Sequence, residues 1–215
     1  MRGIRHFVLG VALLWALPAA AADLVVQVSD GDGRPVANAV VGVAPQGGAP
    51  VTPQAPPPSQ VVDQRNETFI PYVMVVPRGG AVEFRNSDLT RHHVYSFSPV
   101  KAFEYLLSPN EATEPIPLDR TGVVAIGCNI HDRMVSYLYV TELPRTALTD
   151  AEGRARLSDL PEGGYVLHAW HPRLRPGRPE PTQPVTVGAA GATASVALAL
   201  LRESSRQLER ERQRY

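Results

Sequence analysis

The stretch Gly127-Cys128-Asn129-Ile130-His131-Asp132-Arg133-Met134 concentrates three soft or borderline metal donors in one short loop. Cys128 is the only cysteine in the chain, His131 follows three residues later and Met134 three after that. Thiolate and thioether suit Cu(I), imidazole suits both Cu(I) and Cu(II), and a trigonal Cys/His/His set with a weak axial Met is the blue-copper arrangement. The loop supplies three of those four donors. A second histidine must come from elsewhere, and Arg91-His92-His93-Val94 is the obvious source. Neighbouring residues at a strand end point to opposite faces, so one of His92 and His93 can reach the ion and the other cannot.

Two rival chemistries use the same residues. Zinc could be bound by His92, His93, Cys128 and His131 in a structural sandwich, which requires both neighbouring histidines to converge and leaves Met134 idle. Cys128 and His131 could form a nucleophile–base pair, but no orienting group or oxyanion element accompanies them. Elsewhere, His168-Ala169-Trp170-His171 resembles a second metal motif only superficially. In a strand His168 and Trp170 share a face and His171 opposes them, so Trp170 is expected in the core and the histidines at a sandwich edge. Asp30-Gly31-Asp32-Gly33 is too short for a calcium loop and reads as a hairpin turn.

The segments that must position these donors are short and strand-like. Residues 1–22 read as an export signal: Arg2 and Arg5, an apolar run over 7–17, then four alanines at 19–22 before Asp23. The apolar run is too short to span a bilayer, so no membrane anchor is expected and the mature chain is read as periplasmic. A lone cysteine in an oxidising compartment cannot pair internally, and metal ligation removes its liability to oxidation. The formal net charge of the whole chain is zero, and a nucleic-acid partner would want a strongly basic face. Strands are predicted at 24–28, 36–43, 60–64, 69–76, 81–86, 94–98, 122–127, 135–141, 154–157, 164–171, 185–187 and 194–201. Residues 99–117 are predicted to be irregular and 146–153 to be a turn. Many short strands with frequent turn signals predict an all-β chain built from sandwiches. Residues 47–59 read as a Pro/Gln-rich linker, and 202–215 as a charged tail.

The chain resembles the cupredoxins in two places. The Cys128-x-x-His131-x-x-Met134 loop has the compact spacing of amicyanin. Val76-Pro77-Arg78-Gly79-Gly80-Ala81-Val82-Glu83-Phe84-Arg85-Asn86 is similar to the family's Val-Pro-x-Gly strand pair. In that pattern the first histidine ligand falls six residues after the asparagine, at His92. His93 stands where most members have Asn, in a supporting role against Asn129 or as the alternative ligand. The resemblance implies a Greek-key β-sandwich over 60–142 and one type 1 copper ion on His92, Cys128, His131 and Met134. It also implies single-electron transfer to transient redox protein partners, without enzymatic turnover of its own. Chains of this mixed kind have been called methylamine-utilisation or plastocyanin-like proteins. Copper delivery without redox turnover is the competing role. Residues 23–46 and 143–201 resemble the two halves of a carboxypeptidase-regulatory-like (transthyretin-like) sandwich, matching at 28–41, 149–153 and 157–165. That implies a discontinuous module with the cupredoxin inserted.

Overall fold

In the computed structural model the described residues are 21–48, 59–175, 177 and 179–202. The expected export signal (apart from Ala21 and Ala22), most of the linker and the tail beyond Arg202 lie outside them. The chain opens with β1 (Ala21–Asp30) and β2 (Val40–Pro45). It continues through β3 (Gln60–Gln64), β4 (Phe69–Ile70), β5 (Val73–Pro77), β6 (Ala81–Asn86), β7 (His92–Ser98) and β8 (Lys101–Leu107). Next come β9 (Ile116–Pro117), β10 (Gly122–Cys128) and β11 (Val135–Thr141). The described chain closes with β12 (Arg145–Leu148), β13 (Arg154–Pro161), β14 (Gly163–Trp170), β15 (Thr182–Val187) and β16 (Ala192–Leu198). Apart from a 3-10 turn at Gln46–Gly48, every element is a strand. The fold is all-β, and among the described residues no helix is long and apolar enough to cross a membrane.

Strands β3–β11 form two sheets, ordered β5-β11-β10-β7-β8 and β4-β3-β6-β9. The chain crosses between them repeatedly, and strands such as β6 and β7 bury one alternate face as a half-buried strand must. Val82, Phe84 and Asn86 of β6 face inward while Ala81, Glu83 and Arg85 face outward. Between the two sheets Val62, Phe69, Phe84, Val94, Ile126 and Leu138 form one core, and Cys128 and Met134 lie in that same cluster. Strands from both ends of the chain make two further sheets, β13-β1-β16 and β12-β2-β14-β15. Their shared core includes Leu24, Val26, Val41, Leu157, Tyr165 and Leu198. A third cluster joins the two sandwiches: Val40 and Trp170 pack on Val73 and Tyr139. The Trp170 ring lies tilted over Tyr139 at 5.2 Å and meets Tyr137 edge-on at 6.2 Å.

Several predicted elements differ from the structure. The expected strand over 69–76 is two strands in different sheets, because Pro71 has no N–H to donate to a ladder and ends β4. The expected irregular stretch after Pro99 contains β8. This is an edge strand whose residues 102 and 104–106 are all exposed, so it carries no alternation for a sequence reading to detect. The strand expected from residue 36 starts at Val40, since Asn38 adopts a left-handed turn conformation (φ 58°). The first part of the expected turn at 146–153 is paired as β12 against β2. His171 lies just past the end of β14 and is buried, so it does not sit at an exposed edge.

Candidate metal centre

The site lies at one end of the β3–β11 sandwich, where β7 begins and β10 ends. Those two strands are neighbours, with Gly127 opposite Tyr95 and Cys128 opposite Val94. Alternation along β7 turns His92, Val94 and Ser96 inward, so His92 shares the face of the core residue Val94. His92 is fully buried and Cys128 nearly so. The loop after Cys128 is held closed by its own backbone: the Met134 N–H donates to the His131 carbonyl at 3.0 Å, and the Cys128 N–H to the Met134 carbonyl at 3.3 Å. That tight return brings His131 back over the thiol.

Three donor atoms converge. Cys128 Sγ lies 3.8 Å from His92 Nδ1 and 3.9 Å from His131 Nδ1, and the two Nδ1 atoms are 3.1 Å apart. The point equidistant from all three corners of that triangle is about 2.1 Å from each, within the range of about 2.0–2.3 Å at which nitrogen and thiolate ligands hold a divalent first-row metal. The far ring nitrogens are turned outward to carboxylates. His92 Nε2 is 2.8 Å from Asp88 Oδ2, and His131 Nε2 is 3.5 Å from Glu67 Oε1. A carboxylate accepts, so the short contact to Asp88 is a hydrogen bond donated by His92 Nε2. Two imidazole nitrogens and a thiol sulfur directed at one small volume are a cation-binding arrangement, and the residues present fit a single metal ion.

The other predicted residues are placed as follows. Met134 is buried in the cluster that contains Cys128. His93 faces away from the triangle, with its Nε2 2.7 Å from Glu104 Oε1. Its contribution to the loop is its backbone, whose carbonyl accepts the Asn129 N–H at 3.0 Å. The four-ligand zinc set is therefore not assembled, because His93 points to the opposite side of the strand. Asn129 is exposed, and His131 is the imidazole that reaches solvent, its side chain 21% exposed against 0% for His92. His168 and His171 form no cluster with other donors; among the described residues the metal-type grouping is His92, Cys128 and His131.

Residues 60–141 have a cupredoxin-like fold. Two packed sheets carry a histidine at the start of one strand and a cysteine at the end of its neighbour, with the second histidine and the methionine in the loop that follows. No protein-family profile and no curated protein matches the chain. Among solved structures, 44% of the chain is similar to a copper-containing nitrite reductase from Thermus scotoductus SA-01, at 26% identity and a TM-score of 0.38, and it spans 25% of that protein. Amicyanin from Paracoccus versutus matches over 46% of this chain and 97% of its own, at 17% identity and a TM-score of 0.36. A purple cupredoxin from Nitrosopumilus maritimus matches over 39% of this chain and 100% of its own, at 19% identity and a TM-score of 0.35.

Around this cupredoxin-like centre the structure gives Asn86, which the motif only marked as the end of a strand pair, a bonding role, and it brings in Asp88, which motif reading passed over. Asn86 is fully buried, and its Nδ2 donates to the carbonyls of Thr90 (2.8 Å), Leu107 (3.1 Å) and Ser108 (3.0 Å). Its Oδ1 accepts the Asp88 N–H at 3.0 Å. Burial opposes the Asp88 charge, but hydrogen bonds from the Glu67 amide, His92 and the Asn66 amide outweigh it and hold the carboxyl below the usual carboxylate range. An acidic residue four positions before His92 was the available signal. Without the fold, nothing distinguishes it from a solvated loop residue.

Proposed function

We propose that this chain carries single electrons through one type 1 copper ion that Cys128, His92 and His131 would hold, with Met134, buried in the same cluster as Cys128, as the thioether donor. The observation that supports this best is the Sγ–Nδ1–Nδ1 triangle, whose centre suits one ion at bonding distance from all three atoms. Bound copper supplies one-electron chemistry by cycling between Cu(I) and Cu(II), and a Cys/His/His plus Met donor set suits both states. The chain's own part is to hold that donor set still. His92 is fully buried, Cys128 ends a paired strand, and the His131–Met134 turn is closed by backbone bonds. A donor set that does not move between oxidation states has little to reorganise on electron transfer. The partly exposed His131, next to the exposed Ile130, is the edge through which a redox partner makes brief contact.

The chain is exported to the periplasm on this reading. The strands at its two ends form a carboxypeptidase-regulatory-like sandwich that serves as a scaffold beside the copper module. The Trp170–Tyr139 contact between the two sandwiches supports a fixed arrangement of the pair.

The test is reconstitution of the purified protein with Cu(II). An intense visible thiolate-to-copper band that bleaches with one electron, returns on oxidation and is lost in Cys128→Ser supports the electron-carrier reading. Tight Cu(I) binding without a stable coloured Cu(II) form overturns it in favour of copper delivery. A four-coordinate zinc complex that excludes copper overturns both.

A further inference from the structure

Resting on the electron-carrier reading, we propose that Glu67 sets the sign of the charge at the electron-exchange edge. It thereby selects an electron acceptor that presents a lysine- or arginine-lined face. His131 is the imidazole that reaches solvent, and the Glu67 carboxylate stands over its outer nitrogen, with Oε1 3.5 Å from Nε2. The Glu67 side chain is 61% exposed, so its charge meets whatever docks on His131. Its backbone N–H is tied to Asp88 Oδ2 at 2.9 Å, which fixes the root of the side chain beside the site. The charges around it cancel in pairs. Asp63 holds Arg65 at 3.1 Å. The loop before β7 carries one acid and one base, Asp88 and Arg91, and the loop after Cys128 carries Asp132 and Arg133. Glu67 is the charge left over. The adjoining strand β8 and the turn after it add the same sign, through Glu104 on His93 and Glu111 on the Ser108 amide.

The surplus bears on the direction of transfer. Counting the thiolate, a Cu(I) site is neutral and a Cu(II) site carries one positive charge. With Glu67 included, the edge holds one negative charge when reduced and none when oxidised. The reduced protein therefore attracts a cationic acceptor, and the attraction disappears once a single electron has passed to it; no proton moves. Charge of this kind at a contact rim governs the rate of encounter and the choice of partner. Beside it lie two exposed apolar side chains, Leu89 (92% exposed) on the loop before β7 and Ile130 (49% exposed) next to His131. An apolar contact rimmed by charge is the ordinary composition of a protein interface.

Oxidation of the reduced, copper-loaded protein by tris(phenanthroline)cobalt(III), a cation, and by ferricyanide, an anion, tests this. In the wild type the rate with the cation is expected to fall as salt is added, and the rate with the anion to rise. At low salt Glu67→Gln is expected to slow the cation by about fivefold or more and to speed the anion. Glu67→Lys is expected to reverse both salt dependences. Glu162→Gln removes the same charge from the turn between β13 and β14 of the other sandwich, and is expected to change either rate less than about twofold. Equal effects of Glu67→Gln and Glu162→Gln overturn the proposal, as does a wild-type rate with the cation that salt does not lower. The metal-free protein gives a separate readout. Hexaamminecobalt(III), an inert cation, is expected to shift the amide NMR signals of residues 66–68 and 129–133 in the wild type but not in Glu67→Gln. Shifts confined to other carboxylates overturn the proposal. If the wild type gives no thiolate–copper band, the electron-carrier reading fails separately, and the inert cation still decides whether Glu67 makes this edge a cation-docking face.

Discussion

Lowering the pH should destabilise this protein through His171, a residue remote in sequence from the metal centre. His171 is 5% exposed and accepts the Arg173 N–H on Nδ1 at 3.1 Å. Burial, helped by the charge of Arg173 and opposed by a backbone hydrogen bond to Ala37, pushes its pKa from 6.5 down to about 4. The folded-state value is depressed, so above pH 6.5 neither state is protonated there and stability is complete. As the pH falls from 6.5 towards 4, the unfolded chain takes up a proton that the folded chain refuses, and stability drains away. Below about 4 both states are protonated and this loss stops. A shift of that size, at about 1.4 kcal/mol per pH unit, corresponds to roughly 3 kcal/mol. Urea unfolding across this range should show His171→Gln losing about that much less stability on acidification than the wild type. Wild type and variant falling in parallel would falsify the assignment, because a proton-refusing imidazole is the only source proposed for the difference.

Two other perturbations follow from packing and hydrogen bonding. Asn86→Ala removes the donor to the Thr90, Leu107 and Ser108 carbonyls and the acceptor for the Asp88 amide. With each abandoned buried group costing about 1–3 kcal/mol, a loss on the order of 3 kcal/mol is expected in denaturant unfolding, together with weaker copper binding. Unchanged copper affinity in a folded variant would separate Asn86 from the site. Trp170→Ala empties the contact between the two sandwiches, where Trp170 packs on Tyr137, Tyr139, Val40 and Val73. It should cost about 3–5 kcal/mol and split calorimetric melting into two transitions. A single transition at the wild-type temperature is the contrary result.

Legibility from sequence tracked how strongly burial imposed a pattern. The strands Gln60–Gln64, Ala81–Asn86 and Val135–Thr141 are bounded in the structure where apolar alternation and turn residues put them. The edge strand Lys101–Leu107 escaped notice because one face has little to bury. At 69–76 the apolar run is extended only on either side of a break at Pro71 and Tyr72, and local composition does not reveal that the two pieces join different sheets. Within the site, donor types and spacing singled out Cys128, His131 and Met134. Opposite facing of adjacent strand residues allowed only one of His92 and His93, and the core position of Val94 explains which side His92 takes.

The sequence alone determined the chemistry on offer: one thiol, imidazoles in two separate segments, a thioether, and strand-forming stretches between them. These are properties of residue type and short-range periodicity, and they survive without knowledge of distant contacts. The resemblance at 23–46 and 143–201 implied that the two ends of the chain form one module, and only the tertiary structure decided that β1 pairs with β13 and β16 within it and that Trp170 bridges two sandwiches. It also decided that a turn at Asn66 and Glu67 reaches a carboxylate 21 or 22 positions on to orient His92. Such pairings are settled by closing long loops around a shared core, a cost and a gain that no local window of sequence contains.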